Sequence, residues 1–218
     1  MPEPNARLMA LYRKQAKDYD KSGIHGLETW RKEAIKRLHL KRGDLVVDIG
    51  CGTGLNFPWL QEAVGPQGRI IGVDLTDVML ERAGRRVAEA GWKNVELMQA
   101  DAASYEFPAQ VDGILSTFAL TFIPQAKLVI QNGCRALAPL GRWVVLDMAW
   151  PNRWPLWLHH LLFFFRLSSY GITGEVVRRR PWQIVWHTMQ QSLVEVERQP
   201  FRMGFFYLAW GKQPKPPA

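Results

Sequence analysis

Three glycines stand close behind an aspartate in the run Asp48-Ile49-Gly50-Cys51-Gly52-Thr53-Gly54. The run follows a β-rich segment and precedes a segment with helical character near residues 56–64. Glycine lets the backbone turn tightly and approach a ligand closely, and the N–H groups that open the next helix favour a negative group at the same point. Twenty residues beyond Gly54, a second β-rich segment ends in Asp74, an acid suited to the two hydroxyls of a ribose. The spacing therefore predicts a site for a nucleoside-containing cofactor.

A nicotinamide dinucleotide is disfavoured as that cofactor. The dinucleotide fingerprint requires a third glycine three residues after the second, and this chain has Leu55 at that position. Glycines at 50, 52 and 54 behind an acid instead resemble motif I of the class I S-adenosylmethionine-dependent methyltransferases.

That resemblance extends over most of the chain, from about Tyr12 to Gly211, and implies S-adenosylmethionine as the cofactor. It implies that Asp74 binds ribose, that Asp101 binds adenine, and that the end of the fourth strand lies beside the transferred methyl. An N-terminal helical cap with two tyrosines is similar to the cap that covers the cofactor in many relatives. The cofactor-binding positions implied in this way are Tyr12, Tyr19, Asp48, Gly50, Cys51, Gly52, Asp74, Leu75, Asp101, Ala102, Ser116 and Thr117.

Short apolar strands alternate with helical segments through the middle of the chain, a pattern typical of a parallel sheet covered on both faces. We expect strands at 45–49, 69–74, 95–98, 112–116 and 142–147, and helices near 56–64, 77–90 and 125–138. A turn at Pro139-Leu140-Gly141 leads into the fifth strand. Residues 175–191 look helical, and segments 194–197 and 205–210 are expected to form a closing antiparallel hairpin. The predicted fold is α/β, a Rossmann-like seven-stranded, mostly parallel sheet. Its parts are a cap (1–42), a cofactor-binding core (43–150) and acceptor-side helices with closing strands (151–218).

Composition and charge narrow the partners. The 218 residues carry a net charge of +8, divided as +6 over residues 1–42, −4 over 43–150 and +6 over 151–218. Basic flanks favour nucleic acid or an anionic lipid surface, and an ordinary solvated surface is the alternative. Two cysteines provide neither a disulfide framework nor metal-ligand spacing, so no metal is expected. Without a signal segment or a long apolar run, a cytoplasmic location is expected, with contact at the inner face of the membrane as an option.

The sequence indicates the methyl acceptor less directly than the cofactor. Methyl transfer from an activated sulfonium requires an acceptor held in line more than it requires a strong base, so few residue types are fixed. The Asp/Asn-Pro-Pro-Tyr/Phe signature of base-amino methylation is absent after the fourth strand, where Ser116-Thr117-Phe118 stands. Cys134 lies within a predicted helix as a small core residue and not as a cytosine nucleophile. Nucleic acid is therefore disfavoured as the substrate.

A Trp- and Phe-rich segment from Trp150 to Arg166 is suited either to a lipophilic acceptor at a lipid–water interface or to a helix packed on the sheet. Tyr19, His159 and His160 are the candidate catalytic residues, although adjacent histidines on a helix cannot face one site together. The cluster Arg178-Arg179-Arg180 either binds a phosphate head group or is a solvated basic turn.

Two groups of relatives are similar at the family level: phospholipid N-methyltransferases, and ubiquinone and menaquinone C-methyltransferases. The run Thr117–Pro124 looks more like the first group. A quinol carbon needs a base near its hydroxyl and an amine does not, so the absence of an evident base favours N-methylation of a phospholipid amine. Quinol C-methylation and a soluble small-molecule acceptor are the alternatives, and a cofactor-binding module without activity is disfavoured. The sequence motifs do not indicate an oligomeric state.

Overall fold

One mixed sheet of seven strands organises the protein in the computed structural model, which describes residues 27–150 and 174–215. The strands are β1 (Leu45–Ile49), β2 (Arg69–Asp74), β3 (Val95–Gln99), β4 (Val111–Thr117), β5 (Leu137–Met148), β6 (Val194–Phe201) and β7 (Phe206–Lys212). The helices are α1 (Glu28–Leu38), α2 (Phe57–Val64), α3 (Asp77–Ala90), α4 (Ala126–Ala136), α5 (Gly174–Arg179) and α6 (Pro181–Ser192).

The strand order is β3-β2-β1-β4-β5-β7-β6. The first five strands pair in parallel, while β7 runs antiparallel to both β5 and β6. The predicted fold class, including the antiparallel C-terminal pair, is confirmed. Strand order reverses between β1 and β4, and in open α/β sheets the crevice at such a reversal is where ligands bind.

Helices cover both faces of the sheet, and each face has its own apolar core. On one face α1, α2 and α3 bury residues such as Ala34, Leu60 and Ala83 against the inner strands. On the other, α4, α5 and α6 contribute to a second core that includes the fully buried Trp143 of β5. Gly133 of α4 is required there, because a Cβ at this position would lie 2.2 Å from the Trp143 ring.

The fifth strand begins earlier than the sequence predicts. β5 starts at Leu137 and not at Arg142, and the expected Pro139-Leu140-Gly141 turn lies within it as an irregularity. Leu137 pairs with Val111 and Arg142 with Gly113, so four residues of β5 lie opposite one residue of β4 between these two pairs. The chain does bend at these residues, but because β5 pairs with β4 on both sides of the bend, they form a bulge within one strand.

The helix expected over residues 175–191 is two helices. Arg180, between α5 and α6, has left-handed backbone angles (φ 49°, ψ 54°). The ring of Pro181 disfavours the α conformation for the residue before it, so the helix ends and a new one begins with proline in its first turn. A register shift also interrupts β6 between Val194 and Glu197, and Pro200 is tolerated because β6 is the edge strand.

Within the two described ranges, no helix is both long and apolar enough to cross a membrane. The same residues contain no grouping of three or more His, Cys, Asp or Glu side chains that could hold a metal ion.

Candidate active site at the sheet reversal

A glycine turn joins β1 to α2 at the point where the strand order reverses. The amides of Gly50 and Cys51 both donate to the Val73 carbonyl at the end of β2, at 2.8 and 3.0 Å. Gly50 has φ +68°, and a Cβ there would stand 2.3 Å from the Ala119 Cβ. The loop after β4 therefore packs directly against the turn, which only glycine permits.

Two acidic residues border the cleft beside this turn. Asp74 accepts hydrogen bonds from the Gly52 amide (2.9 Å) and the Thr76 amide (2.8 Å), one at each oxygen. Burial raises the pKa of Asp74, and these amides oppose the shift. The Asp101 carboxylate accepts from the Ala103 amide at 2.9 Å, which holds the start of its loop. Both carboxylates are thus held in place by backbone amides.

The cleft lies above β1, β2 and β4, and its volume is about 720 Å³ when the open space at its mouth is included. Seven of the predicted cofactor-binding residues line it: Gly50, Gly52, Asp74, Leu75, Asp101, Ala102 and Thr117. The other described residues of its wall are not among those predicted positions: Val73, Thr76, Met79, Ala100, Phe118, Ala119, Phe122 and Ile123. The loop after β4 therefore contributes an apolar wall to the cleft.

Three other predicted positions lie behind the cleft and not on its surface. Asp48, Cys51 and Ser116 are buried, and none of them lines the cavity. Burial raises the pKa of the Cys51 thiol well above its ordinary value, so Cys51 stays a neutral packing group. Tyr12, Tyr19, His159 and His160 lie outside the described residues, as does most of the predicted cap.

Behind the glycine turn, a buried polar network connects three elements. The Asn56 amide donates to both oxygens of Asp48, at 2.9 and 3.2 Å, and to Thr117 Oγ1 at 3.0 Å. Arg31 of α1 donates to Asn56 Oδ1 at 2.8 Å and to Thr117 Oγ1 at 2.6 Å. Its guanidinium also lies 5.1 Å from the centre of the Phe118 ring. Thr117 lines the cleft, so the network connects α1 to the cleft wall.

Burial raises the pKa of Asp48 to about 7. The hydrogen bond from Asn56 and the charge of Arg31 oppose the shift, whereas the charge of Asp74 adds to it. A carboxyl group with a pKa near 7 therefore lies buried beneath the glycine turn. Neither Arg31 nor Asn56 was predicted, because nothing in their local sequence shows that they approach β4.

A second buried acid holds the loop after β4 from the other face of the sheet. Asp147 of β5 accepts from the Thr121 amide at 2.9 Å and the Met148 amide at 2.8 Å, and burial raises its pKa to about 6. Arg179 of α5 donates to the Thr121 carbonyl at 3.4 Å. The peptide groups at Thr121 are thus held on both sides, which fixes the loop that carries the apolar wall.

Residues 46–141 match the model of a methyltransferase domain. The chain is 30% identical over 166 residues to a demethylmenaquinone methyltransferase of Shouchella clausii (strain KSM-K16), an alignment covering 76% of this chain and 69% of that enzyme. This chain belongs to the class I S-adenosylmethionine-dependent methyltransferases. The methyltransferase is also 33% identical over 138 residues to an enzyme of the same name from Listeria monocytogenes serotype 4a (strain HCC23), covering 63% of this chain and 58% of that one.

Solved methyltransferase structures share the fold. A S-adenosylmethionine-dependent methyltransferase from Aquifex aeolicus superposes with a TM-score of 0.66 at 20% identity, over 91% of this chain and 97% of that one. A geranyl diphosphate C-methyltransferase from Streptomyces coelicolor A3(2) superposes with a TM-score of 0.68 at 17% identity, over 90% and 84% of the two chains. At these identities the likeness concerns the arrangement of the sheet and its helices.

The geometry of the cleft fits S-adenosylmethionine, the cofactor of this family. A Cβ built on Gly52 meets no atom within 4 Å, so this glycine leaves open the space into which a side chain would project. Carboxylates at the ends of β2 and β3 offer acceptors for hydroxyl and amino groups on a nucleoside. The apolar wall after β4 suits the remaining, less polar surface.

Proposed function

We propose that Asp74 binds the ribose hydroxyls of S-adenosylmethionine and that Asp101 binds the adenine amino group. The Gly50–Gly52 turn would lie against the methionine part, and residues 1–42 would cover the bound cofactor. The bound cofactor supplies a methyl group on a sulfonium, already activated for transfer. The protein then has to exclude water and hold the acceptor in line, which the apolar wall at Phe118, Phe122 and Ile123 is suited to do.

We propose that the acceptor is a lipophilic quinol, methylated on a ring carbon. The observation that carries this proposal is the 30% identity to a demethylmenaquinone methyltransferase over more than two thirds of both chains. The apolar wall supports it, because a ring with a hydrocarbon tail needs such a surface. The sequence motifs favoured a phospholipid amine as the acceptor, whereas the identity to demethylmenaquinone methyltransferases supports the quinol.

N-methylation of a phospholipid amine is the second candidate, and one observation favours it. Among the described residues the cleft is lined by two carboxylates, Asp74 and Asp101, and by no histidine, tyrosine or cysteine. Backbone amides already hold both carboxylates. A quinol carbon needs a base near its hydroxyl, whereas an amine needs only deprotonation and placement. Either acceptor would bring the enzyme to the membrane surface.

The test is methyl transfer from labelled S-adenosylmethionine to two acceptors in parallel. One sample contains demethylmenaquinol in detergent micelles, and the other contains phosphatidylethanolamine in vesicles. Label recovered in the quinone fraction is the expected result. Label in the phospholipid alone would overturn quinol methylation in favour of the second candidate.

Asp74→Ala is the control for both samples, since it should abolish transfer by removing the cofactor. Glu89→Gln, an exposed carboxylate on α3, should behave as the unmodified enzyme. Label in neither lipid, with cofactor binding intact, would contradict both candidates and leave a soluble small molecule as the acceptor class.

A further inference from the structure

A basic groove lies between α4 and α6, outside the cofactor cleft. It is a shallow depression open to solvent, and cationic or titratable groups from three parts of the chain line it. Lys127 comes from the first turn of α4, Arg179 and Arg180 from the junction of α5 and α6, and His187 from the middle of α6. None of the described side chains that line the groove is a carboxylate.

No described carboxylate neutralises the charges of Lys127 and Arg180 in this groove. Within residues 27–150 and 174–215, Lys127 and Arg180 have no carboxylate within ion-pair distance. The Arg179 Nε atom is buried without a hydrogen-bond partner in the same ranges. Gln183 and Gln191 add amide donors to the lining. Cations gathered around a concave surface repel one another, and an anion bound there would remove that cost.

We propose that this groove binds a phosphate group, carried on a lipid head group or on a soluble phosphate ester. A phosphate has up to two negative charges and three acceptor oxygens, which match several cationic donors better than a single carboxylate does. Lys127 and Arg180 are the principal contacts, and His187 and the two glutamines line the remaining surface. Arg178 is not part of the site, because its Nε donates to the Gly174 carbonyl of its own helix at 3.3 Å.

The groove adjoins the wall of the cofactor cleft. Arg179 lines the groove and donates to the Thr121 carbonyl, inside the loop that carries Phe118, Phe122 and Ile123. Lys127 follows Ile123 by four residues. A phosphate held in the groove would therefore lie next to the acceptor side of the enzyme. The inference does not depend on whether that acceptor is a quinol or a phospholipid.

The test compares binding of two probes by the full-length protein. One probe is a vesicle of phosphatidylglycerol and phosphatidylcholine measured by flotation, with pure phosphatidylcholine as its reference. The other is inorganic diphosphate measured by calorimetry. The variant is Lys127→Gln with Arg180→Gln, and the control is Lys41→Gln with Lys93→Gln, which removes the same charge from exposed positions elsewhere. S-adenosylmethionine affinity, measured on all three proteins, reports folding.

We expect the groove variant to lose roughly thirtyfold in affinity for at least one probe, at about fivefold for each cation removed. Loss on vesicles alone identifies a lipid head group as the source of the phosphate, and loss on diphosphate alone identifies a soluble phosphate. Loss on both probes supports a phosphate site that accepts either source. The control should retain its affinity for both probes. Equal losses in variant and control, or no binding of either probe by the unmodified protein, would overturn the proposal. None of these outcomes depends on methyl transfer, so the acceptor proposal stands or falls separately.

Discussion

Arg31 Nη1 lies 2.6 Å from Thr117 Oγ1, which joins the first described helix to the end of β4, 86 residues further along the chain. The same nitrogen donates to Asn56 Oδ1, so a single buried guanidinium holds α1, the cofactor turn and the cleft wall together. Because Thr117 lines the cleft, a change at Arg31 is transmitted to the site without altering any residue on its surface.

Arg31→Met should lower the free energy of unfolding by about 3 kcal/mol, because two buried acceptors lose their donor. The substitution should also raise the pKa of Asp48 further, because the Arg31 charge lowers that pKa in the unmodified protein. Urea denaturation measures the first effect. Lys32→Met is the control: the half-exposed Lys32 pairs with Glu28 and lies 5.4 Å from the centre of the Trp59 ring, and its loss should cost less than about 1 kcal/mol. Equal costs for the two variants would contradict the structural role of Arg31.

The buried Asp48 should make stability fall as pH rises. Its pKa is about 7 in the folded protein, above its unfolded value, so the folded state holds a proton that the unfolded state releases. Stability from this group is complete below about pH 4 and is lost as pH rises to about 7, by at most about 4 kcal/mol. Asp48→Asn removes the titration, so the stability of the variant relative to the parent should increase between pH 5 and pH 7.5.

Asp147 also titrates in part of this window, which is why the difference between the two proteins, and not the parent curve alone, is measured. Urea denaturation at several pH values gives that difference. A difference that stays constant with pH would show that Asp48 is ionised throughout.

Gly52→Ala should weaken S-adenosylmethionine binding more than it weakens the fold. Gly52 and Gly91 both have positive φ, +56° and +70°, and both have open space around an added Cβ. Alanine at either position should therefore cost about 1 kcal/mol of stability through backbone strain. Gly52 lines the cleft and Gly91 ends α3, so only the first should lose cofactor affinity, by tenfold or more. Equal affinities in calorimetry would place the cofactor elsewhere.

Gly50→Ala should behave differently from Gly52→Ala. The added Cβ would stand 2.3 Å from the Ala119 Cβ, so the glycine turn and the loop after β4 must separate. We expect thermal unfolding at a temperature several degrees below that of Gly52→Ala, together with loss of cofactor binding. A Gly50→Ala protein as stable as the Gly52→Ala protein would show that the two loops do not pack as described.

Tyr207→Phe should leave the protein as stable or make it more stable by about 1 kcal/mol. The Tyr207 hydroxyl is fully buried and has no hydrogen-bond partner among the described residues. Removing a buried hydroxyl that lacks a partner also removes its desolvation cost, while the stacked Arg198 keeps its ring contact. Tyr105→Phe, at a half-buried ring, is the neutral control. A clear loss of stability at Tyr207 would mean that its hydroxyl is satisfied.

The sequence by itself determined the fold class, the positions of the first four strands and the acidic and glycine residues that line the cleft. These features depend on local sequence: short apolar runs bounded by turn residues indicate strands, and glycines between a strand and a helix indicate a tight turn. Parallel strands bring their carboxyl ends to one edge of the sheet. The alternation of strands and helices in the sequence therefore predicts that the residues after these strands lie together, as they do for Gly50, Asp74, Asp101 and Thr117.

Only the tertiary structure decided the rest. The bulge that extends β5 back to Leu137 depends on pairing with Val111. The break in the helical region at Arg180 is different, because Pro181 in the sequence already favours it. Arg31, Asn56 and Asp147 each bond at least one partner that lies 25 to 86 residues away, and nothing in the neighbouring sequence encodes that approach. The basic groove likewise exists only because packing of α4 on α6 gathers charges that are scattered along the chain.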